Sequence, residues 1–219
     1  MQPQEQIERL LQDARIWQAG RPSTVAKARL ASGWPELDGV LGGGWPLGEL
    51  TELLVADHGV GELSLLLPAL VRLTQGEGGK PDTARWVTLV APPYIPYAPA
   101  LEQAGINLSR LLVVQARRAP DRDFDTLWAI EQALQSRSCG AVVGWSATRE
   151  ETALRRLQLA AEASGAWVVL FRGARLRQLR SPAPLRIELA RTAEGHRYLL
   201  HILKRRGGPP AVATVNGGR

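Results

Sequence analysis

The fold turns on the stretch Thr51-Glu52-Leu53-Leu54-Val55-Ala56, continued by Asp57-His58-Gly59-Val60-Gly61-Glu62-Leu63-Ser64. Its first six residues form a short, largely apolar run, the pattern of a strand buried on both faces. Glycines then mark a turn, and residues 61–74 carry enough leucine to predict a helix. Strand, glycine turn and helix in that order open a parallel α/β sheet.

The alternation continues along the chain. Strands are predicted at 85–91, 111–115, 140–145 and 166–172, with helices at 96–104, 124–136 and 150–164 between them. Continuous apolar strands alternating with helices imply a mostly parallel sheet covered on both faces. Beyond Arg172 the pattern changes. Residues 182–190 and 197–204 alternate polar and apolar side chains around a turn at Glu194-Gly195, which predicts an antiparallel hairpin on the sheet edge. Residues 205–219 are rich in Gly, Pro and Arg and predict a flexible basic tail. Upstream, 32–50 is loop-rich around a short helical turn near Leu37 and Leu41. Residues 4–19 place Ile7, Leu10, Leu11 and Trp17 at helical spacing, an amphipathic helix stopped by Gly20 and Pro22. The expected organisation is an N-terminal helix and linker (1–22), an α/β core (23–204) and the tail (205–219).

Composition narrows the class. With 219 residues and 45% apolar side chains, the chain suits one domain with a real core. No apolar run reaches about 18 residues, so no membrane span is expected. The polar N-terminus lacks the layout of a signal peptide, and the lone Cys139 has no partner for an internal disulfide. These features predict a cytoplasmic protein. The net charge of +6 permits a polyanionic partner such as nucleic acid. Lysine, however, occurs only at Lys27, Lys80 and Lys204, and an arginine-rich bias of this kind also arises from a GC-rich genome. Charge therefore leaves DNA binding open.

Ligands of a parallel sheet sit at the C-terminal strand ends, so the turn after the first strand is where a phosphate loop would lie. Such a loop needs glycines to bring backbone N–H groups around the phosphates, a lysine to reach their oxygens, and a Ser or Thr hydroxyl for magnesium. Gly59 and Gly61 are kept. Glu62 stands at the lysine position and Leu63 at the hydroxyl position, with Ser64 one place beyond. A carboxylate there sets like charge against a triphosphate. His58, His196 and His201 show no metal-ligand spacing, so neither a metal nor a cofactor is expected.

Longer phrases carry a resemblance. Ser32-Gly33-Trp34-Pro35-Glu36-Leu37-Asp38 and Leu41-Gly42-Gly43-Gly44-Trp45-Pro46-Leu47-Gly48-Glu49-Leu50 resemble the lead-in to the phosphate loop of RecA-family ATPases. Tyr97-Ala98, Ala104-Gly105-Ile106-Asn107 and Arg110 to Gln115 are similar to the segment after the second RecA strand, and Leu203 to Pro210 to the basic strand end that closes the core. Within that superfamily, Leu65-Leu66-Leu67-Pro68-Ala69-Leu70, Pro92-Pro93-Tyr94-Ile95-Pro96-Tyr97 and Leu154 to Glu162 resemble the ImuA family, SulA/RecA-like proteins of translesion synthesis.

The resemblance implies a RecA-like core and a role in SOS-induced, error-prone DNA repair, with RecA, ImuB and an error-prone polymerase as partners. It also exposes what is missing. The water-orienting glutamate of RecA proteins falls where this chain has Ala91-Pro92-Pro93, and the metal-linked acid ending the fourth strand falls at Trp145. With Glu62 in place of lysine, three elements of phosphoryl transfer are absent, so a non-catalytic protein is expected. Its function would then lie in surfaces. Arg172, Arg175, Arg177 and Arg180 follow the fifth strand, where RecA proteins keep a DNA loop. Lys204, Arg205 and Arg206 form a second basic group that DNA or an acidic partner would suit. The N-terminal helix would offer Ile7, Leu10, Leu11 and Trp17 to RecA or to another copy of the chain. A different reading of the same fold is a SulA-like inhibitor of cell division that binds FtsZ.

Overall fold

The structure, a computed structural model, describes residues 28–59, 61–116, 122–192 and 197–216. The expected N-terminal helix with Ile7, Leu10, Leu11 and Trp17, and the turn at Glu194-Gly195, lie outside the described residues.

A short antiparallel ribbon comes first. It pairs β1 (Arg29–Leu30) with β2 (Trp45–Pro46) across helix α1 (Pro35–Leu41). The close approach needs glycine at Gly44, whose φ is +120° and where a Cβ would stand 2.2 Å from the Leu30 carbonyl oxygen.

The main sheet has eight strands. In chain order they are β3 (Leu50–Val55), β4 (Trp86–Val90), β5 (Leu111–Val114), β6 (Cys139–Trp145), β7 (Trp167–Gly173), β8 (Leu185–Arg191), β9 (Arg197–Lys204) and β10 (Ala211–Asn216). Across the sheet the order is β10-β9-β8-β3-β7-β6-β4-β5. Strands β3 to β8 run parallel, while β9 and β10 run antiparallel to their neighbours. This is the α/β class expected from the sequence: a mostly parallel sheet flanked by helices, with the antiparallel hairpin β8–β9 beside it.

All six residues of β3 are buried, as a central strand requires. Leu53 and Val55 face one core with Leu37 and Leu41 of α1, Leu70 of α2 (Leu67–Gln75) and Leu101 of α3 (Ala98–Gln103). Leu50 faces the other core, built with Leu127 and Ile130 of α4 (Arg122–Gln135) and Leu154 and Leu157 of α5 (Glu151–Ser164). Trp45 and Trp167 stack with ring centroids 5.0 Å apart, which clamps the ribbon to the sheet.

Two expectations are corrected. The helix predicted over 61–74 is split into a 3-10 turn at Glu62–Leu65 and α2. Pro68 has no N–H to give the Ser64 carbonyl, so an α-helical ladder cannot run through that point. Leu66 instead donates to Leu63, closing the tighter turn. The flexible tail is corrected as well, because residues 211–216 form β10, paired antiparallel with Arg197 to Ile202 of β9. The Arg205 guanidinium closes the connecting turn on the carbonyls of Pro209 and Val40. Ala213 and Val215 then face the core, while Val212 and Thr214 face solvent.

Ending the chain at Lys204 removes that strand and uncovers the pairing edge of β9. Such a truncation is expected to cost on the order of 3 kcal/mol, from the burial of Ala213 and Val215 and of their partners. Urea denaturation checks it, and an unchanged midpoint would restore a tail without structural weight.

Candidate functional site

The parallel strands β3, β4, β6 and β7 end on one side of the sheet, and the turn after β3 lies there. Gly59 and Gly61 both adopt left-handed backbone, with φ of 82° and 88°. That conformation folds the turn back on itself. Glu62 is 4% exposed, and its two carboxylate oxygens accept from the Gly59 N–H at 3.0 and 3.1 Å. An internal carboxylate thus meets a backbone donor of the kind that would otherwise meet a phosphate. His58 Nδ1 lies 3.8 Å from Glu62, and the Tyr198 hydroxyl donates to the Gly61 carbonyl at 2.7 Å, tying the turn to β9. Leu63 packs against the core, and Ser64 lies exposed.

Beside the turn opens a cleft of about 710 Å³. Its floor includes Trp145, only 6% exposed, stacked on Phe171 at 5.1 Å between centroids. One wall is Pro93, from the Ala91-Pro92-Pro93 segment, and another is the start of α4. There Arg122 donates to the Ala91 carbonyl at 3.0 Å, and Ala91 itself has a φ of 53°. Asp123 accepts from the Ser146 hydroxyl at 2.7 Å and from the Ala147 N–H at 2.9 Å, pinning α4 to the end of β6. Arg175 lines the remaining side.

The arginine run does not form one surface. Arg172 is 1% exposed and donates to Glu52 at 2.7 Å and to the Thr148 carbonyl, so it is removed from the DNA-contact candidates. It is an arginine of strand β7, not of the loop that follows, and Glu52 of the neighbouring β3 neutralises it. Ser181 and Arg186 also donate to Glu52, each at 2.7 Å. Arg177 pairs with Glu188 at 2.9 Å. Arg175 and Arg180 are exposed. In the second basic group, Arg206 pairs with Glu49 at 2.8 Å, and Lys204 donates to the Ser181 carbonyl at 3.0 Å. Burial first, then the charge of Arg186, holds the Lys204 ammonium below the ordinary lysine range. Arg205 spends its guanidinium on the β9–β10 turn.

The sequence reading missed Arg122, Asp123 and the Glu52 cluster. Charged residues of both signs inside otherwise apolar strands were the available signal for the cluster. Arg122 and Asp123 precede the point at which apolar spacing marks the helix. Among the described residues, no three His, Cys, Asp or Glu side chains are grouped to hold a metal, and no helix is long and apolar enough to cross a membrane.

Fold and site together define an α/β protein whose phosphate-loop-like turn is closed by a carboxylate of its own. No family model matches the chain. It is similar to Protein ImuA of Caulobacter vibrioides, in two strains, at 36% identity over 149 residues. The match covers 65% of this chain and 57% of each relative, so the chain spans little more than half of the proteins it matches. These relatives bear out the ImuA resemblance read from the sequence.

Replacing Glu52 by alanine leaves Arg172 buried without its counter-charge. A loss of about 3–5 kcal/mol in folding stability is expected, measured by urea denaturation. A loss below about 1 kcal/mol would show that the cluster does not hold the strands.

Proposed function

We propose that this chain is a non-catalytic accessory protein of error-prone translesion synthesis, which works by binding rather than by hydrolysing ATP. The similarity to ImuA supports the setting. One observation carries the absence of catalysis: the Glu62 carboxylate is folded into the turn where phosphates would sit, hydrogen-bonded to the Gly59 N–H. A phosphate oxygen within about 4 Å of it would meet a repulsion of about 4 kcal/mol at the effective dielectric of a partly buried site. Trp145 on the cleft floor offers no oxygen to a metal, and Ala91-Pro92-Pro93 offers no carboxylate to orient a water. What remains is a scaffold, and the partners proposed for it are RecA, ImuB and the error-prone polymerase.

ATP with magnesium is expected to leave the melting temperature unchanged, and no phosphate release above buffer is expected. A nucleotide-dependent rise in melting temperature, lost on Glu62→Ala, would sink the non-catalytic reading. The adaptor role is tested by capture of RecA or ImuB on the purified full chain. Deleting the gene is expected to lower damage-induced mutation frequency severalfold. Unchanged mutagenesis together with a division phenotype on overexpression would favour the SulA-like alternative.

A further inference from the structure

The arginine run carries no aromatic residue, yet exposed aromatic side chains stand elsewhere at the same end of the sheet. Tyr94, Ile95 and Tyr97 follow β4 and are 67%, 86% and 72% exposed. Three large, solvent-facing side chains within four residues contribute little to the core beneath them. Pro92, Pro93 and Pro96 fix φ on both sides of Tyr94, so the rings are presented on a stiff segment. The Tyr94 ring lies over the glycine turn: a Cβ at Gly59 would stand 2.7 Å from Tyr94 Cε2. Tyr94 is therefore at the lip of the 710 Å³ cleft, whose Pro93 wall belongs to the same segment.

The lining of that cleft is cationic. Arg122 and Arg175 are both exposed and outnumber the one acid among the lining residues. The acid in the lining, Asp123, is engaged by the Ser146 hydroxyl and the Ala147 N–H. We propose that this mouth binds single-stranded nucleic acid, with bases stacking on Tyr94 and Tyr97 and backbone phosphates meeting Arg122 and Arg175. Flat rings on a stiff loop beside a cationic groove are the two components of sequence-tolerant single-strand binding. Duplex bases are stacked on each other and cannot reach the tyrosines. An apolar protein segment would use Ile95 and the rings but would leave the arginines without counter-charge, and a net charge of +6 favours a polyanion. The site takes only Arg175 from the arginine run, where Arg172 is buried and Arg177 is paired with Glu188. It also stands independently of the adaptor reading, because capture of protein partners does not require it.

Fluorescence anisotropy of the full chain with a labelled oligothymidylate of about 20 nucleotides tests the proposal, at salt from about 50 to 200 mM. Binding is expected to weaken as salt rises and to exceed binding to a duplex of equal length. Tyr94→Ala and Tyr97→Ala are each expected to weaken it about tenfold, whereas Tyr94→Phe and Tyr97→Phe keep the wild-type affinity. Arg175→Ala is expected to lower the slope of log affinity against log salt by about one. The exposed tyrosines allow these variants to fold, which thermal melts verify. Several results would overturn the proposal: no binding at the lowest salt, equal affinity for duplex, or full competition by thymidine monophosphate. Loss on Arg177→Ala and Arg180→Ala with the tyrosine variants unaffected would place DNA on the arginine run instead. Loss of ImuB capture, with oligonucleotide affinity intact, in the tyrosine variants would make the loop a protein surface.

Discussion

The buried carboxylate of Glu52 is the contact on which the arrangement of the sheet depends. It sits in the central strand with no solvent exposure, and Arg172 of β7, Arg186 of β8 and Ser181 of the connection between them all donate to it. An ionised carboxylate in such a place is tolerated only because charged donors replace its water. The geometry that satisfies it also fixes register. Glu52 lies opposite Arg186 in the β3–β8 pairing, and Arg172 lies opposite Leu54 in the β3–β7 pairing. A slip of one residue in either pair would carry the guanidinium to the other face of the sheet and leave the carboxylate without it. Apolar strands of similar length have no comparable penalty for slipping, so a polar hub at this point contributes specificity as well as cohesion.

That hub reaches the functional end of the molecule. Arg172 continues from Glu52 to the Thr148 carbonyl, and Arg186 continues to the carbonyls of Leu176 and Arg177. The segments after β6 and β7, which line the cleft, are thus held from beneath by the same ion cluster. The Tyr198 hydroxyl, reaching from β9 to the Gly61 carbonyl, holds the third segment. The cleft therefore inherits its shape from the interior of the sheet.

Much of this was legible in the sequence, and the failures have physical causes. Strands β3, β6 and β7 are buried on both faces, so apart from Thr51, Glu52 and Arg172 they appear as apolar runs with little ambiguity. The glycine turn and the carboxylate at Glu62 are local features that need no tertiary information. β10 was hidden because Ala211 to Asn216 lies between Gly-Gly-Pro-Pro and Gly-Gly, whose turn chemistry outweighs six residues of alternation. Arg172 was misplaced for a different reason. One arginine among four nearby looks solvated until its partner is known, and Glu52 is 120 residues away in the chain. The split of the helix at Pro68 could have been read from the proline alone. Burial of a charge is set by a distant partner, and local pattern carries no record of it.

The end of the sheet where a parallel α/β protein keeps its ligand is here satisfied largely by the protein's own groups. Glu62 takes the Gly59 N–H, Arg122 takes the Ala91 carbonyl, Asp123 takes the Ser146 hydroxyl, and Trp145 stacks on Phe171. A ligand shifts a conformational equilibrium only through differential affinity for its states. Contacts already made inside the chain leave a nucleotide little differential affinity to exploit. Under the proposed function this has a mechanical consequence: the geometry at the strand ends would not be gated by ATP. A partner docking on the rim would meet Arg122, Arg175 and the Tyr94 loop without a nucleotide-driven change. A partner's affinity is then set by the partner's own state, so regulation of the assembly would lie with the other components and not with this chain.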